Sequence, residues 1–113
     1  MELDLTYLHE MAGEDDTLVL EMIAIFEEQS NEYSDKMHYC LVNGNWKDLS
    51  RIANKAKPSA AVVGLAELSK ELALLEDLAR EETDTQKYRP IVEKYESECK
   101  KAAQQLRKMF ESA

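Results

Sequence analysis

One short stretch of this sequence concentrates positive charge around a single polar residue. Between positions 47 and 57 there is one acid, although the 113-residue chain carries a net charge of −9, and there are four basic residues: Lys47, Arg51, Lys55 and Lys57. On a helix, Arg51 and Lys57 lie three residues either side of Asn54 and share its face. Such a face is suited to binding an anion or an acidic protein surface, although many charged faces only contact water.

The residues after Asn54 are also unusual for a helix. Pro58 has no N–H for the Asn54 carbonyl, so we expect a bend and a carbonyl without its helical donor. An interior proline costs roughly 3 kcal/mol. Such strain is kept at some functional sites, and it is also tolerated at exposed kinks. Ser59, Ala60 and Ala61 are small, which would let another surface approach closely.

The other residues with chemical potential lack suitable partners. Neither His9 nor His38 has a lysine three residues later, and neither belongs to a Glu-x-x-His pattern. Cys40 and Cys99 lie far apart with no metal-ligand spacing, so we expect them to be small apolar residues on helix faces. There is no phosphate loop and no nucleophile elbow. We therefore expect no metal, no cofactor and no enzyme with its own turnover.

Apolar periodicity predicts the helices at the start of the chain. Leu5 and Leu8 share one face of a short leader helix that Gly13 ends. Asp15, with acidic and polar residues after it, caps a long helix that reaches Val42. The expected apolar stripe of this long helix consists of Leu18, Met22, Ile25 or Phe26, Gln29, Tyr33, Met37, and Cys40 or Leu41.

The helix that carries Asn54 follows the clearest turn signal, Asn43-Gly44-Asn45. Gly44 suits the left-handed position after a helix. Asn45 caps the next helix, with Asp48 in a capping-box position. Gly64 interrupts or turns the chain before a second stripe. The two stripes consist of Leu49, Ile52, Ala53, Ala56, Ala60 and Val63, and of Leu65, Leu68, Leu72, Leu75, and Leu78 or Ala79.

A last helix follows the polar loop at residues 81–86, with Pro90 in its first turn, where a missing N–H costs little. Its stripe consists of Ile91, Tyr95, Cys99, Ala102, Leu106, and Met109 or Phe110. Short connections make sequential helices antiparallel. We therefore predict an all-α fold, an antiparallel up-down four-helix bundle with a short N-terminal helix, and a single domain over residues 1–113.

Composition limits the function classes. With 3 glycines, 2 prolines and a 44% hydrophobic fraction, the chain suits long helices in a globular protein. Its acidic charge argues against a nucleic-acid binder, which needs a basic surface, and against docking on anionic lipid. No stretch approaches the roughly 20 apolar residues of a membrane span, and the acidic start shows no secretory signal. We expect a cytoplasmic protein.

The segment around Asn54 resembles the histidine phosphotransfer (HPt) family. The family motif is His-x-x-Lys-(Gly or Pro)-(Ser or Ala), with an apolar residue and a glycine about ten residues after the histidine. Here the chain has Asn54-Lys55-Ala56-Lys57-Pro58-Ser59 and then Val63-Gly64. Lys57, Pro58 and Gly64 match the family positions. The resemblance runs from Asp4 through the last helix and includes the acidic Gly13-x-Asp15 start of the long helix.

The resemblance implies a role in a two-component phosphorelay. In the family, the histidine accepts phosphoryl from a receiver-domain aspartate, and the lysine neutralises charge on the phosphoryl oxygens. Asn54 stands at the histidine position, and its amide nitrogen is neither basic nor nucleophilic, which leaves Lys57 without a phosphoryl partner. The implied receiver-binding residues are Arg51, Asn54, Lys55, Lys57, Pro58, Ser59, Ala61 and Gly64.

The implied partners are a response-regulator receiver domain, a hybrid sensor kinase, or both, bound by a monomer. The leading hypothesis is a domain that binds receivers and carries no phosphoryl group at Asn54. A second is a true phosphotransfer intermediate whose native histidine is replaced here. A third is a helical scaffold or adaptor unrelated to phosphorelays, because periodicity by itself supports only the bundle.

Overall fold

Four long helices form a bundle, and one short helix precedes them. The structure is a computed structural model and describes residues 3, 5–13 and 15–111, apart from the side chains of Tyr7 and Glu111. The helices are α1 (Thr6–Ala12), α2 (Asp16–Asn43), α3 (Trp46–Val62), α4 (Ala66–Glu81) and α5 (Tyr88–Glu111). The predicted fold class is confirmed. Asp4 and Glu14, which the family resemblance included, lie outside the described residues.

Glycines end three of the helices, as the sequence predicts. Gly13, Gly44 and Gly64 have φ of 60°, 67° and 80°, which residues with a Cβ rarely adopt. At the start of α2, the Asp15 carboxylate accepts a hydrogen bond from the Leu18 backbone N–H at 3.1 Å. The chain therefore reverses tightly between α2 and α3 and between α3 and α4.

Two details of the predicted helix ends are wrong. Asn45 occupies the N-cap position of α3, but its side chain makes no capping hydrogen bond, and Asp48 pairs with Arg51. The capping box is therefore absent. The loop predicted at residues 81–86 is shorter, because α4 continues to Glu81 and a 3-10 turn at Thr85–Lys87 leads directly into α5.

In the first half of α2, the buried stripe is shifted by one residue towards the C-terminus relative to the predicted stripe. The predicted Leu18 is 38% exposed, and Gln29 is exposed as well. Of the two alternatives predicted at the third position, Phe26 is buried and Ile25 is 55% exposed. The buried residues of α2 are Val19, Ile23, Phe26, Ser30, Ser34, Met37 and Cys40. Because Ser30 and Ser34 are polar, a hydrophobicity pattern assigns their neighbours to the core. Ser30 satisfies its hydroxyl by donating to the Glu27 carbonyl at 3.1 Å.

The other helices bury the stripes that the sequence predicts, with few exceptions. On α3 the buried side chains are small at Ala53, Ala56 and Ala60, with exposed fractions of 0%. Small residues let α3 approach its neighbours closely. Ile52 and Leu78 are only partly buried, and Met109 is 50% exposed at the end of α5.

Prolines occupy different positions in α3 and α5. Pro90 lies in the first turn of α5, as predicted, whereas Pro58 lies inside α3, which continues to Val62. The start of α5 is anchored by Tyr88, whose single O–H is shared between the Leu78 carbonyl of α4, at 2.9 Å, and the Thr83 carbonyl just after α4, at 2.7 Å. Over the residues that the structure describes, none of the helices has the length and apolar character to cross a membrane.

Candidate functional site

Asn54 lies on the exposed side of α3, where the periodicity of the buried residues places it. Ala53 and Ala56 are buried in the core. The side chains of Asn54 and Lys55, which lie between them in the sequence, therefore point away from the core. Arg51, Asn54, Pro58 and Ala61 are all exposed. The sequence also predicts Lys57 on this face, but Lys57 is only partly exposed and turns towards α4.

One carboxylate from α4 holds both Asn54 and Lys57. The Asn54 side-chain nitrogen donates to Glu76 Oε2 at 2.8 Å, and Lys57 Nζ donates to Glu76 Oε1 at 2.5 Å. The side chains of Lys57 and Glu76 are 29% and 17% exposed, so the contact is largely shielded from solvent. Lys57 thus has an acidic partner within the fold.

The charge of Glu76 determines how Asn54 is oriented. The Lys57 ammonium and the Asn54 amide hold the pKa of Glu76 below its ordinary value, against the opposing effect of burial. Glu76 is therefore ionised at neutral pH, and an ionised carboxylate can only accept hydrogen bonds. The amide nitrogen of Asn54 must face it, which leaves the amide oxygen and one N–H for a partner.

Backbone carbonyls near this carboxylate are also fixed by side chains. The hydroxyl of Ser50 on α3 donates to the Glu76 carbonyl at 2.7 Å, and the hydroxyl of Ser69 on α4 donates to the Lys57 carbonyl at 3.3 Å. Ser50 is 8% exposed, so its hydrogen bond is shielded from water. These bonds link α3 to α4 on both sides of the Asn54–Glu76–Lys57 contact.

The remaining basic residues of the predicted face are held to different degrees. Arg51 pairs with Asp48 on its own helix at 2.5 Å, with its side chain 71% exposed. Lys47 is directed elsewhere: its ammonium donates to the Arg80 carbonyl at the end of α4 at 2.5 Å and lies 3.7 Å from a Glu82 carboxylate oxygen. Lys47 therefore stabilises the end of α4 and is not part of the open face.

The smaller predicted site residues do not all share that face. Pro58 and Ala61 are exposed, whereas Ala60 is buried in the core. Ser59 is half-buried, and its hydroxyl donates to the Ala56 carbonyl at 2.8 Å. Gly64 lies in the turn between α3 and α4. Gly64 therefore shapes the end of α3 and lies outside the Asn54 face.

Two recesses run between α2 and α3 on the side away from Glu76. The first recess has a volume of about 420 Å3 and includes Tyr39, Ile52 and the ammonium-bearing Lys55. The second recess has a volume of about 160 Å3, and its lining is mainly apolar: Met22, Ile25, Phe26, Gln29, Ser59 and Val62. Tyr39 and Ile25 are 64% and 55% exposed, so the α2–α3 side presents apolar surface to solvent.

Sequence reasoning missed Glu76 and the exposure of apolar residues on α2. Glu76 lies 22 residues after Asn54 on another helix, so no local spacing connects them. A signal did exist, because Glu76 follows the buried Leu75 and a bundle brings α4 beside α3. For α2, the apolar residues occupy more of the helix surface than the core buries, so that Leu18 and Ile25 remain exposed.

The two cysteines and two histidines make contacts within the fold. Cys40 and Cys99 are unpaired and buried, and burial raises the pKa of Cys99 to about 12, which keeps its thiol protonated. His38 Nε2 lies 3.4 Å from a Glu96 carboxylate oxygen on α5, and the His9 ring contacts Phe110. Within residues 3, 5–13 and 15–111, no three His, Cys, Asp or Glu side chains are grouped to hold a metal ion.

Comparisons with known proteins identify one family. The family model described as "Hpt domain" matches residues 21–112, which covers α3, α4, α5 and all of α2 except its first five residues. Searches of curated proteins and of solved structures found no match to the chain. The matched range includes Asn54, Lys57 and Glu76.

Proposed function

This chain belongs to the Hpt domain family, and we propose that it binds response-regulator receiver domains without accepting a phosphoryl group at Asn54. The family gives the chain a role in phosphorelay signalling, in which Hpt domains carry phosphoryl groups and are not enzymes with turnover. The family match also favours this role over an unrelated scaffold. The observation that carries the proposal is an amide, at position 54, on the exposed face of α3 one turn before Lys57.

The amide explains why phosphoryl transfer should stop at this chain. A phosphoryl acceptor needs a lone pair that can attack phosphorus. The lone pair of the Asn54 nitrogen is delocalised into its carbonyl, and one of its N–H groups is already donated to Glu76. A phosphorylated receiver that docks here therefore meets no nucleophile at position 54. It keeps its phosphoryl group until water or another protein removes it.

The surroundings of Asn54 support receiver binding. Arg51 and Lys55 are exposed cations beside Asn54 in an otherwise acidic chain, which suits an acidic partner face. The second recess, with Met22, Ile25 and Val62, adds apolar surface next to α3. We infer that a receiver lies along α3 and covers both Asn54 and the α2–α3 side, one receiver for each chain.

The direct test is phosphotransfer from receivers of the same genome. Each receiver is phosphorylated with labelled phosphate and mixed with the chain, and binding is measured separately by calorimetry. We expect binding of at least one receiver and no acid-labile label on the chain. Label on the wild-type chain would contradict the loss of acceptor function, and His38→Gln would then test whether His38 carries it. Failure to bind every receiver would remove the binding proposal.

Restoring the nucleophile gives the matched control. Asn54→His should gain acid-labile label from a receiver that the wild type binds, because histidine supplies a nucleophilic ring nitrogen on the same exposed face of α3. This gain would also support the hypothesis that an ancestor or a natural form of the chain carried histidine at this position. Binding without label in Asn54→His would show that more than residue 54 prevents transfer.

A further inference from the structure

We propose that Glu76 acts as an internal anion that occupies the phosphoryl-binding groups, so that phosphorylation of a receiver does not strengthen its docking to this chain. This inference rests on the proposed function and adds to it the phosphorylation state that the site selects. Glu76 is then a specificity-determining residue of the docking site. It keeps the hydrogen-bond donors of Asn54 and Lys57 from binding a phosphoryl group on the receiver.

The geometry of the two hydrogen bonds carries the proposal. The Asn54 nitrogen and the Lys57 ammonium converge on the two oxygens of one carboxylate, at 2.8 and 2.5 Å. Two N–H donors converging on two anionic oxygens is the arrangement by which proteins also hold a phosphoryl group. Glu76 therefore occupies the position that an external oxyanion would need in order to use both donors.

Burial and charge keep Glu76 in place. Its side chain is 17% exposed and that of Lys57 is 29% exposed. The Ser50 hydroxyl also fixes the backbone of Glu76 through its carbonyl, at 2.7 Å. The carboxylate is ionised at neutral pH because Lys57 and Asn54 lower its pKa. An incoming phosphoryl group would have to displace this carboxylate or lie beside it, and either arrangement costs free energy.

The charge balance gives the consequence for binding. Glu76 and Lys57 sum to zero charge, and Asn54 is neutral. A phosphoryl dianion on the receiver therefore meets no net positive charge at these three residues, and it meets a carboxylate at close range. Arg51 is likewise paired with an acid, Asp48, so most of the attraction that remains comes from Lys55 and from apolar contacts on the α2–α3 side. Removing the charge of Glu76 should make binding favour the phosphorylated receiver.

The first arm of the test uses sulfate, a tetrahedral dianion, and needs no receiver. Sulfate is titrated into the full-length chain, and the side-chain amide resonance of Asn54 is followed by NMR. We expect no saturable shift in the wild type and a saturable shift in Glu76→Gln. Because sulfate carries two charges, removing one negative charge 4 Å away in water should raise its affinity roughly thirty-fold. Glu67→Gln is the matched control, because Glu67 pairs with Lys70 at 3.4 Å on the exposed side of α4.

A second variant is needed because the side-chain carbonyl of the glutamine in Glu76→Gln can still accept a hydrogen bond from Lys57. Glu76→Ala removes both the charge and the accepting atoms, and a circular dichroism spectrum with a urea midpoint verifies that each variant is folded. Sulfate binding that is equal in the wild type and both variants, or absent from all three, would overturn the proposal. Sulfate binding by Glu67→Gln equal to that of Glu76→Gln would overturn it as well.

The second arm measures a receiver in its free and beryllofluoride-loaded forms. The wild type should bind the loaded form no more tightly than the free form, and Glu76→Gln should bind the loaded form more tightly, by roughly five-fold or more, than the wild type does. A wild type that already prefers the loaded form contradicts the internal anion. If neither protein binds any receiver, the proposed function fails, and the sulfate titration then decides the role of Glu76 independently.

Discussion

The two sides of α3 are held in different ways. Towards α4, polar bonds connect the helices: Glu76 holds Asn54 and Lys57, Ser50 and Ser69 hold backbone carbonyls, and Lys47 holds the end of α4. Towards α2, two partly apolar recesses remain open to solvent. The α4 side therefore fixes the geometry of Asn54. The α2 side leaves surface that a partner can cover.

The difference follows from the length and composition of the stripes. On α4, the core residues leave Glu76 and Ser69 at the edge of the stripe, where they face α3. On α2, the core uses Val19, Ile23 and Phe26, while Met22 and Ile25 remain on the α3 side. A bundle needs only one apolar stripe from each helix. Apolar residues beyond that stripe are free to bind another protein.

The largest expected effect concerns Pro58, on the exposed ridge between the two sides. Pro58→Ala should raise the free energy of unfolding by up to about 3 kcal/mol, because alanine restores the N–H that the Asn54 carbonyl lacks. Pro90→Ala is the control and should change it by less than about 0.5 kcal/mol, since Pro90 lies in a first turn. Urea unfolding of both variants measures the difference. A neutral Pro58→Ala would show that α3 accommodates the proline without strain.

The next effect tests whether the α4 side is held by Glu76. Glu76→Ala should lower the free energy of unfolding by about 2 kcal/mol, because it removes two hydrogen bonds and leaves Lys57 partly buried without its partner. Glu67→Ala should cost less than about 0.5 kcal/mol, since that glutamate and Lys70 are 85% and 75% exposed. Equal losses in urea unfolding would mean that the α4 side is not specially stabilised.

The α2 side should respond in binding and not in stability. Ile25→Ser should weaken receiver binding about ten-fold, or 1.4 kcal/mol, because the exposed part of Ile25 is covered in the complex. The urea midpoint should stay near that of the wild type, since the side chain is 55% exposed. Leu74→Ser is the matched control: Leu74 is 47% exposed and lies two residues from Glu76, on the opposite side of α4. Equal weakening by both variants would contradict a specific surface on α2.

The sequence could predict the helices and the position of Asn54, because both depend on local spacing. The stripes of α3, α4 and α5 are strongly periodic, and the glycines that end α1, α2 and α3 require positive φ values. The site could be predicted only on α3 itself. Glu76 comes from another helix, and its distance to Asn54 depends on how α3 and α4 pack, which no pattern within either helix contains.

The predicted α2 stripe shows a second limit of sequence reasoning. Ser30 and Ser34 are buried while Leu18 and Ile25 are exposed. A rule that assigns apolar residues to the core therefore rotates the helix by one residue. The core accepts Ser30 because its hydroxyl bonds within the helix, and the exposed apolar residues lie where a partner is proposed to bind. The apolar residues that the pattern wrongly assigns to the core are therefore ones that the bundle leaves exposed.

The smallest expected effect is a pH dependence that separates the two sides. Because Lys57 and Asn54 lower the pKa of Glu76 below its ordinary value of 4.5, the folded protein binds this proton less readily than the unfolded chain. The stability that Glu76 contributes is therefore complete above the unfolded pKa and declines as the pH falls towards the folded pKa. Protonated Glu76 still fills its position and can still hydrogen-bond, so the loss should be smaller than the loss that truncation to alanine causes.

Glu32 on α2 provides the comparison for this titration. Its pKa is also lowered, by the hydrogen bond and charge of Lys36, but the two side chains are 56% and 55% exposed. Urea unfolding of the wild type, Glu76→Gln and Glu32→Gln between pH 7 and pH 3, at low and high salt, measures both contributions. Salt should remove the Glu32 contribution and leave most of that of Glu76, because a shielded pair is screened less. If salt removed both equally, the α4 side would be as open to solvent as the α2 side, and Glu76 could not withhold Lys57 from a partner.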